Sequence, residues 1–153
     1  MNETPSSCEV ATRPEEEAPR AAGSRVLRWQ PGFRWDGVPV EAYKASADHW
    51  CGINRTSLTG ERGEQTAFHV RYFEIAPGGF SSLEHHAHEH VVFVLCGRGE
   101  VRLGGDVHPL GFGDVVYVAP HEVHQFRNGS DEPFGFLCIV DARRDVPIPV
   151  GSV

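Results

Sequence analysis

LEHHAHEHVVFVLCGRG, Leu83 to Gly99, crowds His85, His86, His88 and His90 among Glu84 and Glu89 and then runs straight into apolar chain. Three readings of the imidazoles compete: a metal site, a solvated polar strand, or the remnant of an affinity tag. The internal position, hard against VVFVL, counts against the tag. Side chains alternate faces along a strand, so Glu84, His86, His88 and His90 would share one face of a continuous strand. At ~3.3 Å per residue, positions two apart are roughly 6.6 Å distant and positions six apart roughly 20 Å. Metal–ligand bonds of ~2.0–2.2 Å cannot bridge the longer span. A shared ion therefore requires the chain to reverse within Ala87-His88-Glu89, as a hairpin with Glu84 and His86 on one strand and His90 opening the next. The spacing permits this arrangement without requiring it.

Outward from this stretch, strand follows strand. AFHVRYFEI (67–75) alternates well enough for a half-buried strand, and APGG (76–79) is expected to break it. VVFVL spans 91–95. EVRLGGDVHPL (100–110) reads as a hairpin turning at Gly104–Gly105 or Gly105–Asp106. VVYVA (115–119) and FGFLCIV (134–140) complete the set. Turn signals recur about every 8–12 residues and no amphipathic helix separates them, the pattern of an all-β sandwich or small barrel.

The flanks differ in kind. Residues 1–24 hold three prolines, the Glu15–Glu17 run and few bulky apolar groups, too little to offset ordering entropy, so a disordered tail is expected. Residues 25–65 place Trp29, Phe33, Trp35, Tyr43 and Trp50 among turn signals and read as early strands and a loop packing on a barrel of residues 66–141. Residues 142–153 read as a C-terminal tail. At 153 residues the chain is long enough for one good core. A net charge of −7 and a pI near 5.7 lack the basic footprint of a nucleic-acid binder. No h-region opens the chain and no run nears the ~20 apolar residues that span a bilayer. Cys8, Cys51, Cys96 and Cys138 form no CxxC pair, which argues against a zinc knuckle and a dense disulfide framework. A cytoplasmic protein is the expectation.

HxH, a short turn, a further ligand-type residue and an apolar strand closed by Gly resemble the first motif of the cupin superfamily. GDVVYVAPHEVHQFRN, Gly113 to Asn128, resembles its second. The two stand in the family's order with a hairpin between them, and the likeness covers roughly Phe68 to Val140. It implies a single-domain (monocupin) jelly roll, a double-stranded β-helix with a metal at its centre. Counting back from the Gly that closes VVFVLCG, the resemblance implies Glu84, His86 and His90 as ligands, with His124 from the second motif. A carboxylate then stands where histidine is commoner and a histidine where glutamate is. His88 is the alternate ligand, otherwise rimming the site, and a salt-bridged strand carboxylate is the competing role for Glu84. Such a donor set suits one divalent transition metal (Fe, Mn, Ni, Cu or Zn).

Arg71, Tyr72, Phe80, Tyr117 and Phe126 are candidate pocket liners. Cys96 shares strand parity with His90 and joins them, a small buried hydrophobe being its competing role. His69 is expected to be a satisfied core or surface histidine, and Asn128 to fix the turn after the His124 strand. Functionally, the resemblance implies a metal-dependent enzyme on a small organic molecule. An oxygenase-like oxidoreductase, a dioxygenase, is favoured by the donor types, with decarboxylase, isomerase and lyase chemistry also open because fold alone names no reaction. The alternative is a non-catalytic small-molecule-binding or sensing cupin. The amino-terminal segment has no helix-turn-helix pattern. A homodimer is expected, with the Trp29–Trp50 region as its surface, and neither nucleic acid nor membrane as partner.

Overall fold

The computed structural model describes residues 22–43 and 50–151. For residues 1–21, the expected tail lies outside the described residues, as does Cys8. Among the described residues there are strands and no α-helix. β1 (Trp29–Gln30) and β2 (Arg34–Trp35) form a small hairpin. β3 (Glu41–Ala42), β4 (Cys51–Thr59), β5 (Phe68–Phe80), β6 (Glu84–His85), β7 (His90–Cys96), β8 (Gly99–Leu103), β9 (Asp106–Leu110), β10 (Val115–Val118), β11 (His124–Arg127), β12 (Phe134–Asp141) and β13 (Ile148–Pro149) join in one curled antiparallel sheet. One wall runs β3-β4-β5-β12-β7-β10 and the other β9-β8-β11-β6-β13. β5 belongs to both, because Phe80 at its end pairs with Arg127 of β11. This is the all-β architecture that the turn spacing predicts and the jelly roll that the cupin resemblance implies.

The expected break at Ala76–Gly79 is instead a bulge. β5 pairs with β4 as Ile53↔Ile75, then resumes as Cys51↔Phe80, so four residues stand opposite Gly52 alone. Gly78 takes φ 75°, and a Cβ at Gly79 would lie 2.6 Å from the Cys51 carbonyl oxygen. Glycine lets the strand kink and continue rather than stop. Asn128 fixes this corner. Its amide donates to the Ile75 and Glu132 carbonyls at 2.8 and 2.7 Å, and its Oδ1 accepts from the Ser130 N–H at 2.9 Å. The β8–β9 hairpin turns at Gly104–Gly105, with Leu103 opposite Asp106 and Gly104 at φ 56°.

Every second residue of β12 points inward: Phe134, Phe136, Cys138 and Val140 are all buried. They meet Ile75, Val92, Val94, Val101 and Val118, each at most 1% exposed. Full burial of one such side chain contributes about 1.5–3 kcal/mol. β5 is covered on its other face as well. There Tyr72 packs with Val38 and Leu58, and Phe33 stacks on its ring at 5.3 Å. Two covered faces explain why AFHVRYFEI carries apolar residues at both parities. The N-terminal aromatics are largely spent within the chain, Trp35 on Tyr72 and Tyr43 edge-on to Phe73 at 5.1 Å, while Trp29 is half exposed. β4 does more than pack on the barrel: it is hydrogen-bonded into the wall beside β5. The segment after Asp141, read as a tail, supplies β13, which pairs with β6.

Candidate metal centre

The chain does reverse at 87–89, but not as a hairpin. β6 pairs with β11 and β13, β7 pairs with β10 and β12, and the two are not hydrogen-bonded to each other. The turn instead carries the chain from one wall to the other. His86 follows the end of β6 and His90 opens β7, so they approach across the barrel interior. His124 opens β11, where it pairs with Glu84. The second motif also braces the first: His121, at φ 65°, donates its N–H to the His86 carbonyl at 2.7 Å.

His86, His90 and His124 are buried, and one ring nitrogen of each lies within 4.8 Å of the others. Backbone carbonyls fix the tautomers of two of them. A carbonyl can only accept, so the Nδ1–H of His86 donates to the His88 carbonyl at 2.7 Å and that of His124 to the Glu122 carbonyl at 2.9 Å. His90 Nδ1 rests 3.3 Å from Cys138 Sγ. The Nε2 atoms of His86 and His124 are thereby left as lone pairs. The Nε2 atoms of His90 and His124 are 3.3 Å apart. Two bonds of ~2.1 Å to one ion at that separation subtend about 104°, near the tetrahedral angle. Burial, with the neighbouring imidazoles, pushes the His90 pKa down to about 2. Burial also lowers those of His86 and His124. Neutral, preoriented imidazoles are the form a divalent ion takes, so the residues fit the metal.

A cavity of about 430 Å³ opens over this cluster, within the range of small-molecule sites. Phe73, Phe126 and Phe136 form its apolar wall, and Tyr43, Arg55, Arg71 and Arg144 also line it. Glu84 lines it without joining the nitrogen cluster, and its carboxylate accepts the Ser82 hydroxyl at 2.5 Å. His88 also lies outside the cluster. It lines the cavity, stacks on His86 with ring centroids 3.6 Å apart, and meets Asp145 at 2.6 Å.

Of the predicted liners, Arg71 and Phe126 face the cavity and Tyr72, Phe80, Tyr117 and Cys96 do not line it. Tyr72 lies on the outer face of β5 with its hydroxyl 3.4 Å from Cys96 Sγ. Tyr117 is exposed and donates to Glu89 at 2.5 Å. The parity argument for Cys96 fails because of a second bulge. Gly135 pairs with Cys96 but Phe136 with Val94, so Leu95 is an extra residue that turns the end of β7 over. The thiol that reaches the histidines is Cys138, whose inward parity was legible in FGFLCIV. Arg144 and Asp145 were missed altogether. They follow the last long strand, in a segment without periodicity. His69 is satisfied by Arg144 Nη1 at 3.1 Å, and Cys51, Cys96 and Cys138 are free thiols.

Comparison with known proteins agrees with this geometry. A model of the cupin domain matches residues 71–140. The chain is 40% identical over 126 residues to 1-methylthio-D-xylulose 5-phosphate methylsulfurylase of Rhodospirillum rubrum, covering 78% of this chain and 76% of that protein. Among solved structures, a cupin 2 conserved barrel domain protein from Rhodopseudomonas palustris superposes with a TM-score of 0.77 at 36% identity, covering 84% and 88% of the two chains. A cupin-2 domain protein from Rhodospirillum rubrum gives 0.72 at 37%, covering 86% and 83%. With the two motifs, the curled antiparallel sheet and relatives matched over most of their length, the chain belongs to the cupin superfamily as a small single-domain member.

Proposed function

We propose that this protein is a metal-dependent enzyme acting on a small ketose phosphate that carries a thioether, as the name of its Rhodospirillum rubrum relative describes. The observation that carries the reading is the convergence of three buried imidazoles inside a substrate-sized cavity, in a chain so similar to that enzyme. His86, His90 and His124 would hold one divalent transition ion. When bound, such an ion supplies Lewis-acid polarisation of a carbonyl or hydroxyl oxygen.

The chain's own residues do the rest. Phe73, Phe126 and Phe136 exclude water from one side of the cavity, which strengthens every charge interaction inside it. Glu84 is the one carboxylate among the described lining residues, and it stands beside His124 across the β6–β11 pair. It is placed to take a proton from the substrate carbon next to the carbonyl, with Ser82 holding its other side.

The test is consumption of 1-methylthio-D-xylulose 5-phosphate, followed by mass spectrometry, by metal-loaded protein and by His124→Ala. Release of the methylthio group as methanethiol, the C–S bonding electrons leaving on sulfur and the proton taken by Glu84 returning to it, with wild type and not with His124→Ala is the expected result. O₂ uptake with the methylthio group retained would favour the oxygenase reading that the donor types suggest. Neither activity would leave a binding barrel.

A further inference from the structure

Among the described residues, two guanidinium groups lining the cavity have no carboxylate within 4 Å. Arg71 is 8% exposed, yet among the described residues no carboxylate lies within 4 Å of it, and its Nε has no hydrogen-bond partner. Its contacts are the Cys138 thiol, 3.3 Å from Nη2, and the Phe73 ring, 5.1 Å below the guanidinium carbon. Arg144, half-buried and lining the same cavity, touches His69 Nδ1 and the Asp141 carbonyl, and it too has no ion pair among the described residues. Arg55, the third arginine there, differs, because Glu41 at 2.7 Å and Glu61 at 3.9 Å neutralise it. Burial and the like charge of Arg71 push the Arg144 pKa down, and Glu61, which pairs with Arg55, only partly offsets them.

A buried, unpaired guanidinium is costly, and proteins keep one where a ligand brings the missing charge. Buried Arg71 and half-buried Arg144 in one cavity call for about two negative charges. Their flat N–H forks suit the oxygens of a tetrahedral anion better than a single ammonium would. The position is equally specific. Cys138 Sγ is 3.3 Å from both Arg71 Nη2 and His90 Nδ1, so the cationic wall is one thiol away from the histidine cluster.

We propose that Arg71 and Arg144 form the subsite that receives the dianionic phosphate ester of the substrate, while the histidine end of the cavity takes the oxygens of the sugar. This assigns residues to the substrate class and rests on the reading given under Proposed function. Arg55, already paired, shapes the mouth rather than binding the anion.

The experiment is calorimetric titration of metal-free protein, prepared with a chelator, with D-xylulose 5-phosphate and with D-xylulose. Wild type is expected to bind the phosphate ester at least about tenfold more tightly than the free sugar. Arg144→Gln and Arg71→Gln should each weaken the ester by a further factor of about ten and leave the free sugar unchanged. Arg98→Gln, outside the cavity, should behave as wild type. Because Arg71 is in the core, its variant is scored only with a wild-type circular dichroism spectrum; Arg144→Gln carries the test if it misfolds. Equal binding of ester and sugar by wild type, or unchanged ester affinity in Arg144→Gln, overturns the proposal. If the metal-loaded protein leaves the methylthio sugar intact but both arginines still govern ester binding, the reaction falls and the subsite stands. Consumption of that sugar with unaltered KM in both variants is the reverse case, and the subsite falls.

Discussion

Asp145 clamps the turn that carries His88. Its Oδ1 lies 2.6 Å from His88 Nδ1 and accepts the His88 N–H at 3.0 Å, while Oδ2 accepts the Ala87 N–H at 2.8 Å. These bonds hold the carboxyl well below the usual carboxylate range. His88 in turn stacks on His86 and accepts its Nδ1–H through the backbone carbonyl. A residue 57 positions away thus sets the orientation of one imidazole of the cluster. Asp145→Ala is expected to weaken metal binding by about tenfold, the low end for loss of an outer partner. Competition with a chromophoric chelator reads the change; an unchanged affinity would show that the clamp is idle.

Metal content separates the three clustered histidines from their neighbour. His86→Ala, His90→Ala and His124→Ala should each lose near-stoichiometric metal by ICP-MS, and His88→Ala should still load in excess metal. Loss confined to His88→Ala would mean that the ion sits nearer the mouth than the nitrogen cluster indicates.

Glu84→Gln distinguishes the two roles open to that carboxylate. As a proton acceptor it should keep metal at the wild-type level while turnover drops by about a hundredfold or more. Metal lost along with turnover would make Glu84 a ligand, as the family resemblance implies.

Acid should destabilise the metal-free protein through its histidines. His86, His90 and His124 have folded pKa values below the ordinary 6.5, so below about pH 6.5 the unfolded chain binds protons that the folded chain refuses. Their contribution is complete above pH 6.5 and is lost as the pH falls toward the folded values. The urea midpoint should therefore drop between pH 7.5 and 5.5, and less steeply in His90→Gln. Equal slopes in the two proteins would contradict this account.

Gly97 is a second place where the backbone leaves no choice. It has φ 69°, and a Cβ would lie 2.0 Å from the Pro133 carbonyl oxygen. Gly97→Ala should cost about 2 kcal/mol or more in urea unfolding. At Gly105 nothing lies within 4 Å of an added Cβ, so Gly105→Ala is the near-neutral comparison.

What the sequence discloses here follows from what is periodic. VVFVL and FGFLCIV lie within β7 and β12 because their alternation reflects the pleat directly, and the Gly104–Gly105 turn follows from residue chemistry. His86, His90 and His124 could be placed because two motifs fix their spacing. Cys96 could not, because one extra residue, Leu95, reverses parity without leaving a compositional trace. β4 was equally hidden, since CGINRTSLT mixes polar and apolar residues on a wall with register shifts. Arg144 and Asp145 act through contacts with His69 and His88, and no local pattern encodes a partner that far along the chain.

The pairing of β5 with β12 matters for how this molecule comes into being. The ladder runs from Phe68 opposite Asp141 to Ile75 opposite Phe134, so its strands meet only across a long intervening loop. Closing that loop costs entropy before any contact rewards it, and topologies of this kind fold in milliseconds to seconds rather than microseconds. On the ribosome, the three histidines emerge ahead of β12 and of Asp145. A nascent chain therefore carries its imidazoles unassembled until β12, which pairs with β7 at His90, has been made.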